Sequence, residues 1–415
     1  MSFRSTEPLN VLHINQSDIA CGGACIAAYR LHKGLLENGN NSRILVGKAT
    51  VQDERIAEIS LKPKIEKLLF QVTFRAGLNF VNLVSSFDLP NHPFYQSADI
   101  ITFHNLHNGY FNYLAMPDLT KNKPAIWYLH DMWSFTGHCA YSFDCDRWQS
   151  GCGQCPYPET YPYIRRDATW LEWRLKKWVY ERSNLTIVAP SRWLTHQARR
   201  SILNHFPIFH IPCGIDTDAY RPIDCSESRR KLGIPLDRKV IMCGALSFSD
   251  SRKGGDLLVK ALQRLPASLK EEAILLTMGN CSELITQDVN IQSINLGFVS
   301  NELDKSIAFS SADVFLFPTR ADNLPLMLQE SMACGTPMVS FNIGGVPDLV
   351  RPNITGYLAA PEDVDDFCLG IVNLLEDSEA RAQMSQNCRE IAVKEYSLGI
   401  FINKFTELYR QALAR

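Results

Sequence analysis

Short apolar runs recur along the first half of the chain: VLHI (11–14), RILV (43–46), DIITF (99–103), AIWYL (125–129) and LTIVA (185–189). They carry no strict apolar–polar alternation, which fits parallel strands covered on both faces, because a half-exposed strand would alternate with period two. After IFHIP (208–212) a loop with Gly214 and Pro222 interrupts the pattern, and a second series follows: VIMC (240–243), AILLTM (273–278), INLGFV (294–299), DVFLFP (313–318) and PMVSF (337–341). Two successive βα series predict an α/β fold of two doubly wound domains, 1–207 and 222–395, with a cleft as the default ligand site. A short hinge is expected near 206–222. Phe367, Ile371, Leu374 and Leu375 follow helical spacing, as do Phe401, Phe405, Leu408 and Tyr409. Residues 396–415 should therefore form a helix that needs a surface, and the amino-terminal domain is the one expected to supply it.

Composition narrows the class. With 415 residues, 46% hydrophobic and 21% charged, the chain can build two or three cores, which excludes disorder as its main state. The 42 basic and 44 acidic residues leave a net charge of −2, so nothing draws the whole molecule to nucleic acid or acidic lipid, and any anion must be bound locally. The opening MSFRSTEPLN has no apolar core of roughly 7–15 residues, and no stretch approaches ~18 apolar residues, so a cytoplasmic protein is expected. Nine of the 13 cysteines (21, 25, 213, 225, 243, 281, 334, 368, 388) are scattered and read as small core residues. The other four are treated below.

The most informative segment is PTRADNLPLMLQESMACGTPMVSFNIGGVPDLV (318–350). A strand end leads into a helix opened by Pro325, and such a helix start offers backbone N–H groups to an anion near Asn323 and Leu324. Asp322 and Glu330 stand in a D-x7-E spacing, one before the helix and one inside it, where they can bond two ends of one ligand. The alternative from spacing alone is a helix cap and a solvated glutamate.

This segment resembles the retaining glycosyltransferases of family 4, the group 1 type with the GT-B fold of two Rossmann-like domains, whose E-x7-E signature runs into AMACGTPVV. Here it reads D-x7-E, then SMACGTPMVSFNIGGVPDLV. The likeness extends to GGACIAAYRLHKGLLENGNNSRILV (22–46), APSRWL (189–194), IPCGIDTDAYRP (211–222) and SRKGGDLLVKAL (251–262). It implies that Glu330 binds the ribose of a nucleotide sugar and that Asp322 faces hydroxyls of the transferred sugar. It also implies that Lys253 and Arg252 hold the diphosphate, although two basic residues before Gly-Gly are otherwise read as a solvated turn. Two departures stand out. Asp322 replaces the usual glutamate, and Ala245 stands where most members carry an arginine after the strand glycine, here Gly244, so Arg252 is expected to substitute.

Gly22 and Gly23 follow the first strand, where the absence of Cβ lets backbone approach the reacting sugar; a plain turn is the alternative. No G-x-G-x-x-G follows a predicted strand, which disfavours a dehydrogenase. His130 ends AIWYLH at a position that in the family lies over the donor sugar, against a structural histidine as the other reading. His104 and His107 could line the acceptor side, with structural use equally open. Cys139, Cys145, Cys152 and Cys155, in an insert at 138–156, are spaced C-x5-C-x6-C-x2-C. They could form a structural zinc site, disulfides or free thiols. Some exopolysaccharide-type members look similar here, including the HDMWSFTG lead-in. Lys62–Val72, with Ile65, Leu68, Leu69 and Val72 on one face, and Ile164–Arg182 could touch a membrane, although Leu171, Leu175, Trp178 and Val179 equally suit packing on the sheet.

The expected reaction moves a hexosyl unit, with retention, from a UDP- or GDP-sugar to a hydroxyl of a glycan or lipid-linked oligosaccharide in cell-surface polysaccharide synthesis. No cofactor is expected for catalysis and no nucleic acid as partner, while weak peripheral membrane association at the inner membrane face is allowed. The alternatives are a nucleotide-sugar-binding protein without transfer activity, suggested by Asp322 and Ala245, and an epimerase on the same scaffold.

Overall fold

The computed structural model describes residues 7–20, 22–280 and 283–414. The chain forms two compact units, one running to Gly214 and resuming at Phe401, the other Ile215–Ile400.

In the first unit seven parallel strands, β1 (Asn10–Ser17), β2 (Asn41–Lys48), β3 (Ile56–Glu58), β4 (Ile100–Phe103), β5 (Ala125–Tyr128), β6 (Leu185–Ala189) and β7 (Ile208–His210), lie in the order β3-β2-β1-β4-β5-β6-β7. Every residue of β4, β5 and β6 is buried, the both-face coverage that the unalternating runs predict. The helix Leu398–Leu413 closes this unit. Its Tyr409 hydroxyl meets Thr102 Oγ1 at 2.8 Å, and Phe405 packs edge-on to Tyr128 with centroids 5.1 Å apart. Gly34 makes room for it, because a Cβ there would lie 2.5 Å from Ile402.

The second unit repeats the plan with β8 (Lys239–Ser247), β9 (Ala273–Asn280), β10 (Gln292–Asn295), β11 (Val314–Phe317), β12 (Met338–Phe341) and β13 (Gly356–Ala359), in the order β10-β9-β8-β11-β12-β13. Phe367, Ile371, Leu374 and Leu375 of the helix Val364–Glu376 are buried against this sheet. In each unit the strand order reverses direction once, between β1 and β4 and between β8 and β11. In a doubly wound sheet the loops part at that point and leave a crevice at the carboxyl edge.

Several expectations are corrected. The INLGFV run is a strand only to Asn295, because Gly297 takes φ +63° and ends it. The helix Pro63–Arg75 turns its apolar stripe outward: Ile65, Leu68 and Val72 are 55%, 65% and 65% exposed. Glu66, on the opposite face, is the buried residue and accepts from the Ser85 and Lys62 backbone N–H groups. The helix expected over 164–182 runs Thr169–Tyr180. It buries Glu172, Trp173, Lys176, Val179 and Tyr180, while Trp178 is half exposed and Leu171 and Leu175 only partly covered. Cys225 is exposed rather than core; Cys21 and Cys281 lie outside the described residues.

Candidate functional site

At the switch point of the second sheet, the chain leaving β8 forms a single helical turn, Ser251–Lys253, closed by Gly254 in the left-handed conformation at φ +69°. A Cβ on Gly254 would lie 1.9 Å from the Pro318 carbonyl, so only glycine lets this loop press against the end of β11. That contact brings two cations to Asp322, on the loop that follows β11. Lys253 Nζ lies 2.6 Å and Arg252 Nη1 3.2 Å from Asp322 Oδ2. Arg252 also donates to the Ala321 carbonyl at 2.8 Å.

Asp322 is nearly buried, and burial alone would raise its pKa; Lys253 and Arg252 outweigh that and hold the carboxyl below its ordinary range. For Lys253 burial is the stronger influence and lowers its pKa, with Asp322 opposing. The residue expected to face sugar hydroxyls is thus also the counter-ion of the two cations. Its Oδ1 accepts the Asn323 N–H at 2.9 Å, so that N–H is already engaged. The helix Leu326–Ala333 begins after Pro325, its first internal bond running from Gln329 N to Pro325 O. The N–H groups of residues 326–328 therefore have no partner within the helix.

Glu330, 2% exposed on that helix, accepts from the Tyr220 hydroxyl at 3.2 Å and from Lys305 Nζ at 3.4 Å. Gly244 of β8 faces Met327, whose Cε would lie 2.3 Å from a Cβ at that position. Leu324 is buried beside the helix start. The structure thus gathers Arg252, Lys253, Asp322, Asn323, Leu324, Gly244 and Glu330 at one sheet edge of the second unit. Arg320, Tyr220 and Lys305 were missed by sequence reasoning. Arg320 bonds Asp256 twice, at 2.7 Å each, and Glu362 at 2.8 Å, fixing the 251–256 loop to the end of β11. Its place in PTRADNLP was the available signal; nothing in the sequence pairs Tyr220 or Lys305 with Glu330.

In the first unit Gly22 takes φ +89° before the helix Gly23–Glu37, with nothing within 4 Å of where its Cβ would be. Gly23 opens that helix and is exposed. His130, just past β5, has Nε2 3.2 Å from His104 Nδ1, and burial pushes its pKa down to about 4, against an opposing Asp131. His104 and His107 are buried rather than lining an open surface. His107 Nε2 meets Asp131 Oδ2 at 2.9 Å, and its Nδ1 lies 2.9 Å from the Tyr161 hydroxyl. The neighbouring Asn108 does reach open space. It lines a cavity of about 380 Å³ with Gln16, Ser17, Lys48, Thr50 and Tyr110, at the carboxyl ends of β1 and β2. Asp18 braces that wall by accepting from the backbone of Ile19, Thr50 and Val51.

Cys139, Cys145, Cys152 and Cys155 are free thiols, and among the described residues no group of three or more His, Cys, Asp or Glu side chains is arranged to hold a metal ion. Burial pushes Cys139 up to about 12 and Cys152 up to about 11, so as free thiols both are protonated at neutral pH. Other bonds hold the insert. Cys152 Sγ accepts the Gly137 N–H at 3.2 Å, His138 Nε2 lies 3.2 Å from Cys155 Sγ, and the Trp148 indole donates to the Cys145 carbonyl at 3.0 Å. Among the described residues no helix is long and apolar enough to cross a membrane.

Comparison with known proteins bears on the family and the fold. The profile described as Glycosyl transferases group 1 matches residues 224–391, and that described as Glycosyltransferase Family 4 matches residues 21–219. The chain is 24% identical over 426 aligned residues to WcaC of Escherichia coli K12, named as a candidate colanic acid biosynthesis glycosyl transferase; the match spans 96% of this chain and 100% of that protein. Sucrose-phosphate synthase from Thermosynechococcus elongatus superposes with TM-score 0.71 at 20% identity, covering 98% and 99% of the two chains. Anabaena HepE, solved with UDP and glucose, superposes with TM-score 0.68 at 16% identity, covering 97% and 99%. With both units matched by profiles of one group and the GT-B fold shared by the solved relatives, this chain belongs to the group 1 glycosyltransferases of family 4.

Proposed function

We propose that this glycosyltransferase moves a hexosyl unit from a UDP- or GDP-sugar to a hydroxyl of a glycan or lipid-linked oligosaccharide in cell-surface polysaccharide synthesis, with retention at the anomeric carbon. The observation that carries the reading is the pair Lys253 and Arg252, drawn together on Asp322 at the switch point of the second sheet, with buried Glu330 on the adjoining helix. Two cations beside a helix start suit a diphosphate, and a buried carboxylate held by a tyrosine and a lysine suits a pair of ribose hydroxyls. The family of WcaC supports a polysaccharide acceptor, and HepE, solved with UDP and glucose, supports a UDP-sugar.

In this reading the bond from the anomeric carbon to the diphosphate oxygen breaks as the charge it leaves is taken up by Lys253 and Arg252. A bond from the acceptor oxygen forms on the same face, and the acceptor proton passes to an oxygen of the departing diphosphate. Asp322 holds the cations and receives sugar hydroxyls. The first unit's cavity, with Lys48, Gln16 and Asn108, serves the acceptor. The reaction is tested by incubating the enzyme with UDP-glucose or GDP-mannose and a lipid-linked oligosaccharide extract, then reading the anomeric coupling of the product by NMR. The donor's anomeric configuration is expected in the product; the inverted anomer would sink the proposed stereochemistry.

Presentation of a lipid-linked acceptor would account for the outward apolar face of the helix Pro63–Arg75. Ile65, Leu68 and Val72 share that face, and Lys64 and Lys67 lie beside it, a composition that suits the surface of an anionic bilayer. Wild-type protein is expected to sediment with phosphatidylglycerol vesicles at low salt, and Leu68→Glu/Val72→Glu to remain in the supernatant. Equal sedimentation of the two would remove this helix as the contact.

A further inference from the structure

The tip of the loop after β4 is built around a carboxamide. Asn108 takes φ +81°, a left-handed conformation that asparagine adopts more readily than most residues with a Cβ, and Gly109 follows at φ +76°. The turn sets Asn108 beside the cavity of the first unit, and two elements distant in sequence hold its side chain there. Nδ2 donates to Gln16 Oε1 on β1 at 2.6 Å, and Oδ1 accepts from the Tyr161 hydroxyl. That hydroxyl also lies 2.9 Å from His107 Nδ1, on a ring whose Nε2 is held by Asp131. Tyr161 is 52% exposed, so core burial does not set its place. Its backbone does: the Tyr161 carbonyl accepts from the Ala140 N–H at 2.9 Å and the Pro162 carbonyl from His138 Nδ1 at 2.7 Å, which ties this returning stretch to the start of the cysteine insert.

These bonds decide what the cavity wall offers. A carboxamide has one oxygen and two N–H groups. With Oδ1 on Tyr161 and one N–H on Gln16, Asn108 keeps its second N–H for a ligand, and Gln16, with Oε1 engaged, keeps its Nε2 amide. Lys48 lines the same cavity with a third donor. The hydroxyls of Ser17 and Thr50, also in the lining, donate to Asp18 Oδ1 at 3.1 and 2.6 Å and so keep lone pairs. Donors and lone pairs around one space of about 380 Å³ match a sugar ring, because each of its hydroxyls needs both. Without the Tyr161 bond the carboxamide would rotate about its terminal torsion, and turning Oδ1 to the cavity would reverse what this wall offers.

We propose that Tyr161 is a positioning residue for the first unit's cavity: carried by the stretch that returns from the cysteine insert, it holds the Asn108 carboxamide in one orientation, so that Asn108 and Gln16 meet a sugar ring as hydrogen-bond donors. That the ring belongs to the acceptor glycan rests on the function proposed above; the orientation of the carboxamide does not. The insert thereby has a task at the cavity, and the wall needs no ordering when the glycan arrives.

The orientation is tested by NMR of the full chain labelled with 15N on its asparagine carboxamides. The Asn108 signal is assigned by its loss in Asn108→Gly, which tolerates φ +81° and removes the carboxamide. Its 15N order parameter is expected near ~0.85 in the wild type and below about 0.6 in Tyr161→Phe. A mobile carboxamide in the wild type, or one that stays rigid in Tyr161→Phe, overturns the inference whatever the substrates are. The second readout is transfer from UDP-glucose or GDP-mannose to a lipid-linked oligosaccharide extract, with hydrolysis of the donor followed alongside. Tyr161→Phe should raise the extract concentration at half-maximal rate about tenfold, the size of one neutral hydrogen bond, and leave donor KM and hydrolysis unchanged. Placed on Asn108→Gly, the same substitution should add no more than about twofold, because Tyr161 acts through Asn108. An equal loss in both backgrounds, or a rise in donor KM, would mark a general loosening of the first unit and remove Tyr161 from the cavity. A carboxamide released by Tyr161→Phe in a protein that transfers nothing to the extract would uphold the orientation and sink the acceptor assignment.

Discussion

Lys253→Ala is expected to lower kcat by about 10²–10³-fold, the usual cost of removing one preorganised charge partner from a developing anion. The loss should fall on kcat more than on KM, because the negative charge on the diphosphate is larger in the transition state than in the bound donor. The ammonium is held for this task before any ligand arrives: its Nζ sits 2.6 Å from Asp322 Oδ2, and the turn that carries it is fixed by Gly254 against Pro318 and by Arg320 across to Asp256 and Glu362. Lys253→Arg keeps the charge and should lose less. Arg252, bound to the same carboxylate, leaves Asp322 with one counter-ion in Lys253→Ala, which should therefore fold. A kcat within about threefold of wild type, under 1 kcal/mol in barrier, would remove Lys253 from the charge-stabilising role.

The largest effect on stability is expected at Lys176. This side chain is fully buried; its Nζ donates to the Trp133 carbonyl at 2.6 Å and the Thr136 carbonyl at 3.0 Å and stands 3.7 Å over the Trp133 ring. Glu172, one turn earlier on the same helix, is equally buried, and desolvation raises its pKa to about 7 while lowering that of Lys176 to about 8. The ammonium pins the segment 133–136, which follows His130 and leads into the cysteine insert. Lys176→Met keeps the stem volume but leaves two carbonyls unbonded and a carboxyl without its cation, at a cost of about 3–5 kcal/mol. All seven tryptophans lie between Trp127 and Trp193, so tryptophan fluorescence during urea unfolding reports on the first unit alone. Its midpoint should fall sharply in Lys176→Met and recover in part in Lys176→Met/Glu172→Leu, where both charges are gone. A single variant within about 1 kcal/mol of wild type would show that the buried ammonium contributes little.

The central strands were legible because parallel strands covered on both faces need unbroken apolar runs: LTIVA is β6 residue for residue, and AIWYL and DVFLFP contain β5 and β11. The edge strands β3 and β13 were not read. They are short and partly exposed, and the IAE of β3 carries no apolar run for a pattern to report. The apolar stripe of Pro63–Arg75 was visible, but which way it faces is settled by Glu66 bonding to Ser85, nineteen residues away. At the candidate site, Asp322, Glu330, Lys253 and Arg252 were found through motif likeness. Their partners were not, since Tyr220 reaches Glu330 over 110 residues, a separation along which sequence carries no periodic signal.

The measurement that most directly tests the central claim is binding of UDP, GDP, UDP-glucose and GDP-mannose to the full chain, followed by the shift in melting temperature, in wild type, Glu330→Ala and Lys253→Ala. A ligand that binds only the folded state raises the transition in proportion to the logarithm of its saturation. One nucleotide and its sugar conjugate are expected to raise the wild-type transition, with the shift lost in Glu330→Ala and reduced in Lys253→Ala. No shift with any of the four, or a shift that both variants retain in full, would contradict a nucleotide-sugar site at the switch point of the second sheet.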